Sequence, residues 1–128
     1  MHNITSPATD DRAIEQEIQA KGKTAPRITP DRINEVIQST HYFTAGGAIR
    51  CIDFCAGKTG DKAEPKALDL LTFCVLVLEN GFTVTGESAC ASPENFDEEI
   101  GRKIAYENAK QKIWPLEGYA LKSQLAAV

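Results

Sequence analysis

The sequence lacks most of the features that would assign a function at once. No apolar run approaches the ~18 residues of a membrane-spanning helix, and the longest, Phe73 to Leu78, has the length of a strand. The first residues lack the basic and apolar segments of a signal peptide, so we expect a cytoplasmic protein. The formal net charge of −4 argues against a dedicated duplex-DNA binder, which normally carries a basic excess.

Residues for catalysis and metal binding are also scarce. The two histidines are His2 and His41, and the motifs G-x-S-x-G, H-E-x-x-H and C-x-x-C do not occur. Cys51 and Cys55 have a weak metal-binding spacing, and the favoured interpretation of all four cysteines is buried or half-buried thiols. We therefore expect no enzymatic activity, no metal and no cofactor.

The composition of the chain is typical of one globular domain. Its 128 residues are 42% apolar, which is enough to form a core without disulfide bonds. Residues 1–9 show no hydrophobic periodicity and are predicted to be a mobile tail. Residues 10–128 are predicted to form a single domain.

The first half of the chain predicts two helices followed by an extended segment. One helix should span roughly residues 10–22, where a glycine ends it. A second helix is predicted with Thr29 as its N-cap and Pro30 at its first position, and it should end near Thr40. Residues 41–54 are rich in aromatic and β-branched side chains and are predicted to be a strand or a bent hairpin.

A β-hairpin is predicted in the middle of the chain. Asn80-Gly81 is a strong type I′ turn signal between the apolar segment Leu70–Glu79 and the alternating segment Phe82–Ser88. The segment before it, residues 56–67, is rich in glycine and lysine but lacks the glycine spacing of a phosphate-binding loop. It is predicted to be an exposed loop.

A long helix should follow the hairpin. Ser92 and Pro93 suit its N-cap and first position, and Asn95 with Glu98 offers a second capping pair. Pro115 predicts a kink close to its own position. An apolar stripe should pack on the sheet: Ile100, Ile104, Ala105, Ala109 and Ile113. The predicted fold class is α+β, with a small antiparallel sheet, N-terminal helices and a long, kinked C-terminal helix.

Two parts of this region suit an anionic ligand. Free N–H groups at the helix start attract anions, and Ser88 and Asn95 add polar groups, although plain helix capping is the favoured interpretation there. Along the helix, Arg102, Tyr106 and Lys110 are spaced i, i+4 and i+8, so they share one side and can stack on a base and pair with phosphate. On spacing alone, a solvated face with an anchoring tyrosine is favoured.

The segment from Asn80 to Lys122 carries a family resemblance. Its motifs “NGF”, “GESAC”, “PENFD”, “EIGRKIAYENA” and “IWPLEGY” resemble small tailed-phage and prophage proteins related to the Thoeris anti-defence proteins of the first type. The resemblance implies a sponge that binds cyclic nucleotide immune signals without cleaving them, either glycocyclic ADP-ribose isomers or cyclic oligonucleotides. It also implies hexamers with ligand pockets between subunits.

The side chains expected to contact such a ligand are aromatic, polar or cationic. They are Arg50, Phe82, Ser88, Asn95, Phe96, Arg102, Tyr106, Lys110 and Lys112. Trp114, Leu116 and Tyr119 are expected to build a core or an oligomer interface. The alternative function is that of a phage interaction protein, which binds a host protein through the helix face around Trp114 and Tyr119.

Overall fold

The computed structural model describes residues 7–58 and 66–127, with side chains from residue 10 onward. The predicted tail, residues 1–9, lies largely outside this description, and the first helix already begins at Pro7. Most of the predicted 56–67 loop lies outside it as well.

The described residues form five α-helices and three β-strands. In chain order they are α1 (Pro7–Ala20), α2 (Pro30–Val36), β1 (Ile37–Thr44), α3 (Ala45–Cys55), β2 (Leu71–Leu78), β3 (Thr83–Ala89), α4 (Glu98–Gln111) and α5 (Ile113–Ala126). Short 3₁₀ helices precede β2 (Lys66–Leu70) and α4 (Pro93–Asn95). The predicted α+β class is confirmed, including the small antiparallel sheet and the bent C-terminal helix.

The sheet is antiparallel, with β2 in the middle of the order β1-β2-β3. Alternate residues of β2 are buried on one face, and α4 packs against β2 and β3 on that face. This alternation is the period-2 pattern of a strand with one covered face. The core contains residues from the sheet and from three helices: Ile33, Val36, Cys74, Leu76, Leu78, Val84, Ala105, Ala109 and Ile113.

The predicted hairpin is confirmed, but its turn is not the predicted type I′, because that type needs positive φ at both Asn80 and Gly81 and Asn80 does not have it. β2 and β3 pair along their length, with Leu76 opposite Val84. Gly81 has φ +89, a left-handed conformation that favours glycine, and the Asn80 side chain accepts a hydrogen bond from the Phe82 N–H at 2.9 Å. Local residue chemistry therefore specifies this turn.

The prediction for residues 41–54 is wrong in its second half. The strand β1 begins at Ile37, so helix α2 ends four residues before the expected Thr40. A helix, α3, follows the strand, and the Thr44 hydroxyl caps it by accepting from the Gly47 N–H at 3.0 Å. The strand starts early because pairing with β2 satisfies its backbone groups and overrides local helix preference.

The predicted start of the long helix is also corrected. Ser92 makes no side-chain capping bond, because Pro93–Asn95 forms a separate 3₁₀ turn. The N-cap of α4 is Asp97, whose carboxylate accepts from the Ile100 N–H at 3.0 Å. The helix bends at Lys112, where α4 ends and α5 begins, close to the kink predicted at Pro115.

Two predictions of burial are partly wrong. In the helical stripe, Ala105, Ala109 and Ile113 are buried, whereas Ile100 is 46% exposed because it lies in the first turn of α4. Among the cysteines, Cys74 is buried and Cys90 half-buried, but Cys51 and Cys55 are exposed on α3. No helix in the described ranges is long and apolar enough to span a bilayer.

Candidate functional site

Arg102 of α4 lies over the ring of Tyr42 from β1. The guanidinium carbon is 5.7 Å from the ring centroid, within the range of a cation–π contact. Tyr42 pairs with Cys74 in the sheet register, which places it on the face that α4 covers. Arg102 also donates a hydrogen bond to Glu98 at 2.7 Å.

Tyr106 and Lys110 continue this arrangement along α4. The ammonium nitrogen of Lys110 lies 5.6 Å from the centroid of the Tyr106 ring. Burial raises the pKa of both Tyr42 and Tyr106, so both phenols stay protonated at neutral pH and can donate hydrogen bonds. We call these four residues, Tyr42, Arg102, Tyr106 and Lys110, the cation–aromatic row.

The structure therefore brings together three of the predicted ligand residues, Arg102, Tyr106 and Lys110. Tyr42 completes the row, and sequence reasoning missed it as a site residue. The position of Tyr42 in an aromatic-rich strand could have suggested it. Which helix residue it contacts, however, depends on how β1 pairs with β2, and the sequence does not specify that pairing.

The other predicted residues lie elsewhere. Arg50 of α3 forms an ion pair with Asp69 at 2.8 Å, Phe82 is exposed in the hairpin turn, and Lys112 is exposed at the bend. Asn95 is exposed in its 3₁₀ turn. They do not form one cluster with the row.

Ser88 and Phe96 are enclosed by the fold. Ser88 is buried on the face of β3 toward α4, and Phe96 is half-buried. A Cβ atom placed on Gly101 would lie 4.0 Å from the Phe96 ring, so that ring packs beside the start of α4.

The space beside Gly86 of β3 is filled by the backbone of helix α4. A Cβ atom there would lie 2.2 Å from the backbone nitrogen of Ala109 and 2.3 Å from the carbonyl oxygen of Ala105. The glycine thus admits the backbone of α4 and leaves no space for a ligand beside it.

A cleft of ≈ 270 Å³ lies between α1, α2 and the end of α4. Sequence reasoning missed it, because its walls come from distant parts of the chain. We call it the α1–α2 cleft. Its lining is mostly polar: Asp11, Arg12, Glu15, Gln19, Arg27, Thr29, Pro30, Asp31, Asn34, Lys110 and Trp114.

Side-chain hydrogen bonds hold two of the acids in the cleft. Arg27 donates two hydrogen bonds to Glu15, one of them from Nη2 to Oε2 at 2.6 Å, and Gln19 donates a third. These bonds lower the pKa of Glu15 to about 2. Asp11 accepts a hydrogen bond from Gln111 at 3.1 Å, which ties α1 to α4.

An apolar pocket of ≈ 150 Å³ adjoins the cleft. Ile14 and Ile18 of α1 and Ile28 line it, and Trp114 lines both cavities. The two cavities together offer a polar and an apolar compartment side by side. In the described part of the chain, no group of three or more His, Cys, Asp or Glu residues could hold a metal ion.

The fold and its comparison with known proteins define a small α+β protein of phage origin. Residues 28–125, from just before α2 to the end of α5, match a family model described as Phage protein (N4 Gp49/phage Sf6 gene 66) family. The chain belongs to this family. No curated protein and no solved structure matches it. The match extends beyond Asn80–Lys122 into the first half of the chain, and the family description names no activity or ligand.

Proposed function

We propose that this phage protein binds cyclic nucleotide immune signals and sequesters them without cleaving them. The ligands would be glycocyclic ADP-ribose isomers, the signals of Thoeris defence, or cyclic oligonucleotides, the signals of CBASS defence. The observation that carries the proposal is the cation–aromatic row, in which Arg102 lies over Tyr42 and Lys110 over Tyr106.

The row offers both kinds of contact that a nucleotide uses. Aromatic rings stack on any base, and arginine pairs with phosphate oxygens through parallel hydrogen bonds. The Arg102 side chain is 49% exposed, and its partner Glu98 is exposed as well. An exposed ion pair of this kind contributes little, so a phosphate can replace Glu98 at small cost.

The proposal includes assembly in the cytoplasm of the infected host. We propose a homo-oligomer, with a hexamer as implied by the family resemblance. Leu116, Tyr119 and Leu125 of α5 are exposed apolar side chains that such contacts would cover. Assembly would also gather Arg102 from several copies, which concentrates positive charge that one chain of net charge −4 lacks.

Calorimetric titration with glycocyclic ADP-ribose isomers and with cyclic di- and trinucleotides tests the proposal. Arg102→Ala should weaken binding by roughly tenfold or more, the usual effect of losing a hydrogen bond to a charged group. Lys103→Ala is the matched control, because Lys103 is the next residue and pairs only with exposed Glu99, at 3.4 Å, among the described residues. Folded protein that binds none of these signals at micromolar concentration contradicts the proposal.

The fate of the ligand separates sequestration from catalysis. After incubation and heat denaturation, a sequestering protein returns the signal intact. Recovery of a cleaved product would show that the protein is an enzyme and does not merely sequester the signal.

A second candidate function is an interaction with a host protein through α5. The observation that favours it is the Tyr119 side chain, which is 79% exposed on a helix that also exposes Leu116 and Leu125. Pull-down from host lysate with the unchanged chain and with Tyr119→Ala tests it. A stoichiometric partner that the variant loses, with no nucleotide released on denaturation, favours this second function over the first.

A further inference from the structure

The α1–α2 cleft contains a largely buried lysine that has no ion-pair partner in the described part of the chain. Lys110 has only 9% of its surface exposed. No Asp or Glu in the described part of the chain forms an ion pair with it within 4.0 Å, not even Glu107 one turn earlier. Its one described contact with another charge or ring is the face of Tyr106.

A cation–π contact offsets only part of the free energy needed to remove an ammonium group from water. None of the three acids in the wall of the cleft, Asp11, Glu15 and Asp31, forms an ion pair with Lys110 within 4.0 Å. Glu15 is held by Arg27, and Asp11 accepts from Gln111. Lys110 is thus a largely buried cation in the wall of this cleft that forms no ion pair with the described residues.

Trp114 adds a second donor without an acceptor. It lines the cleft together with Lys110, and its indole Nε1 atom is buried with no hydrogen-bond partner among the described residues. Lysine ammonium and indole N–H groups are donors only, so the missing species must be an acceptor. A buried donor such as the Trp114 indole N–H is normally satisfied, by protein, water or ligand.

The surroundings limit the charge and the shape of that acceptor. Asp11 and Asp31 also line the cleft, and a second negative charge on the ligand would be repelled by them. The cleft of ≈ 270 Å³ is smaller than most sites for drug-sized ligands, and the adjoining pocket of ≈ 150 Å³ is apolar. A small, singly charged ligand with an apolar body fits both cavities.

We propose that the α1–α2 cleft binds a small organic carboxylate, with its carboxylate group at Lys110 and its apolar body against Ile14, Ile18 and Trp114. The cleft shares Lys110 with the cation–aromatic row, but Tyr42 and Arg102 do not line it, so a change at Arg102 affects signal sequestration and not this site. The chemistry it requires is one acceptor-rich anionic group joined to a compact apolar group.

Fluorescence of Trp114 reports directly on occupancy, because it is the single tryptophan of the chain. The probes are 4-phenylbutyrate, its uncharged amide, and inorganic phosphate, each titrated to millimolar concentration. The expected result is a saturable change with 4-phenylbutyrate, and a markedly weaker response with the amide and with phosphate. No saturable change with 4-phenylbutyrate, equal binding of the amide, or stronger binding of phosphate would each overturn the proposal.

Two lysine variants locate the charge. Lys110→Met should weaken 4-phenylbutyrate binding by about tenfold or more, the scale of a lost charge-assisted hydrogen bond. Lys112→Met is the matched control, because that lysine is exposed and does not line the cleft. Equal affinity in both variants contradicts the assignment of Lys110. If Lys110→Met fails to fold by circular dichroism, the comparison of carboxylate with amide in the unchanged protein still decides.

Discussion

Gly86 of β3 and Ala109 of α4 pack backbone to backbone. A Cβ atom on Gly86 would lie 2.2 Å from the Ala109 nitrogen, closer than real Cβ atoms approach any atom. The neighbouring atoms belong to helix backbone and cannot turn away, so α4 rests on β3 only because the strand has no side chain there. The same helix carries Arg102, which lies over the ring of Tyr42 at 5.7 Å.

Gly86→Ala should therefore destabilise the fold by about 3 kcal/mol, at the upper end of the usual cost of overpacking a core. Urea unfolding followed by circular dichroism measures this change. Gly118→Ala is the matched control, since no atom lies within 4 Å of a Cβ there and Gly118 is inside α5. The control should stabilise the protein by roughly 0.5–1 kcal/mol through helix propensity. Similar effects of the two substitutions would contradict the packing argument.

The N-cap of α4 gives a second prediction. Asp97→Ala removes the acceptor for the Ile100 N–H and should reduce the free energy of unfolding by about 1 kcal/mol. Ser92→Ala should have little effect, because the Ser92 side chain makes no capping bond. Thermal or urea unfolding of both variants checks the difference. A larger loss from Ser92→Ala would mean that the helix begins at the earlier residue.

Features coded by neighbouring residues were predictable from the sequence. The Asn80-Gly81 turn, the Thr29 cap of α2 and the spacing of Arg102 along α4 all depend on residues within one or two turns of each other. The choice among caps before α4 was not predictable in the same way. Ser92 and Asp97 both suit an N-cap, and the 3₁₀ turn between them decides which one is used.

Features that depend on distant residues were missed. Ile37–Thr44 becomes a strand because β2 pairs with it, and β2 lies on the far side of the 56–67 segment. The same pairing of β1 with β2 places Tyr42 beside Arg102 in the cation–aromatic row. The α1–α2 cleft joins Glu15, Arg27 and Lys110, which share no sequence motif. Residue types suggested binding chemistry, but only the fold shows which residues meet.

The Glu15–Arg27 pair predicts how stability depends on pH. The hydrogen bonds from Arg27 and Gln19 lower the pKa of Glu15 from 4.5 to about 2 in the folded protein. The unfolded chain thus takes up the proton first, so the contribution of the pair is complete above pH 4.5 and is lost as the pH falls toward 2. The difference in melting temperature between the unchanged protein and Glu15→Gln should be largest at neutral pH and shrink by about pH 3.

Glu17→Gln is the control for this pH dependence. Glu17 lies two positions after Glu15 on α1 and forms an exposed ion pair with Lys21. Exposed pairs of this kind contribute little to stability. Its melting temperature should follow that of the unchanged protein across the same pH range. A Glu15→Gln difference that stays constant with pH would show that the carboxylate charge is not what the pair contributes.

The four cysteines should separate into kinetic classes with a chromogenic thiol reagent. Cys51 and Cys55 are exposed on α3 and should react first in the folded protein. Cys90 is half-buried, with its thiol donating to the Ser92 carbonyl oxygen at 3.2 Å, and should react more slowly. Cys74 should react last, for two reasons. Burial raises its pKa to about 11, so little reactive thiolate forms near neutral pH. Its side chain is also fully buried, so the reagent cannot reach it in the folded protein.

The absorbance released in native buffer should therefore correspond to two thiols in the fast phase, and denaturant should reveal the full four. Replacing Cys51 and Cys55 with serine together should abolish the fast phase and leave the slower reaction unchanged. Because Cys74 lies beneath α4 at the centre of β2, its reaction rate in the folded protein reports on opening of the core. A fast reaction of Cys74 without denaturant would contradict the packing of α4 on the sheet, on which the position of the cation–aromatic row depends.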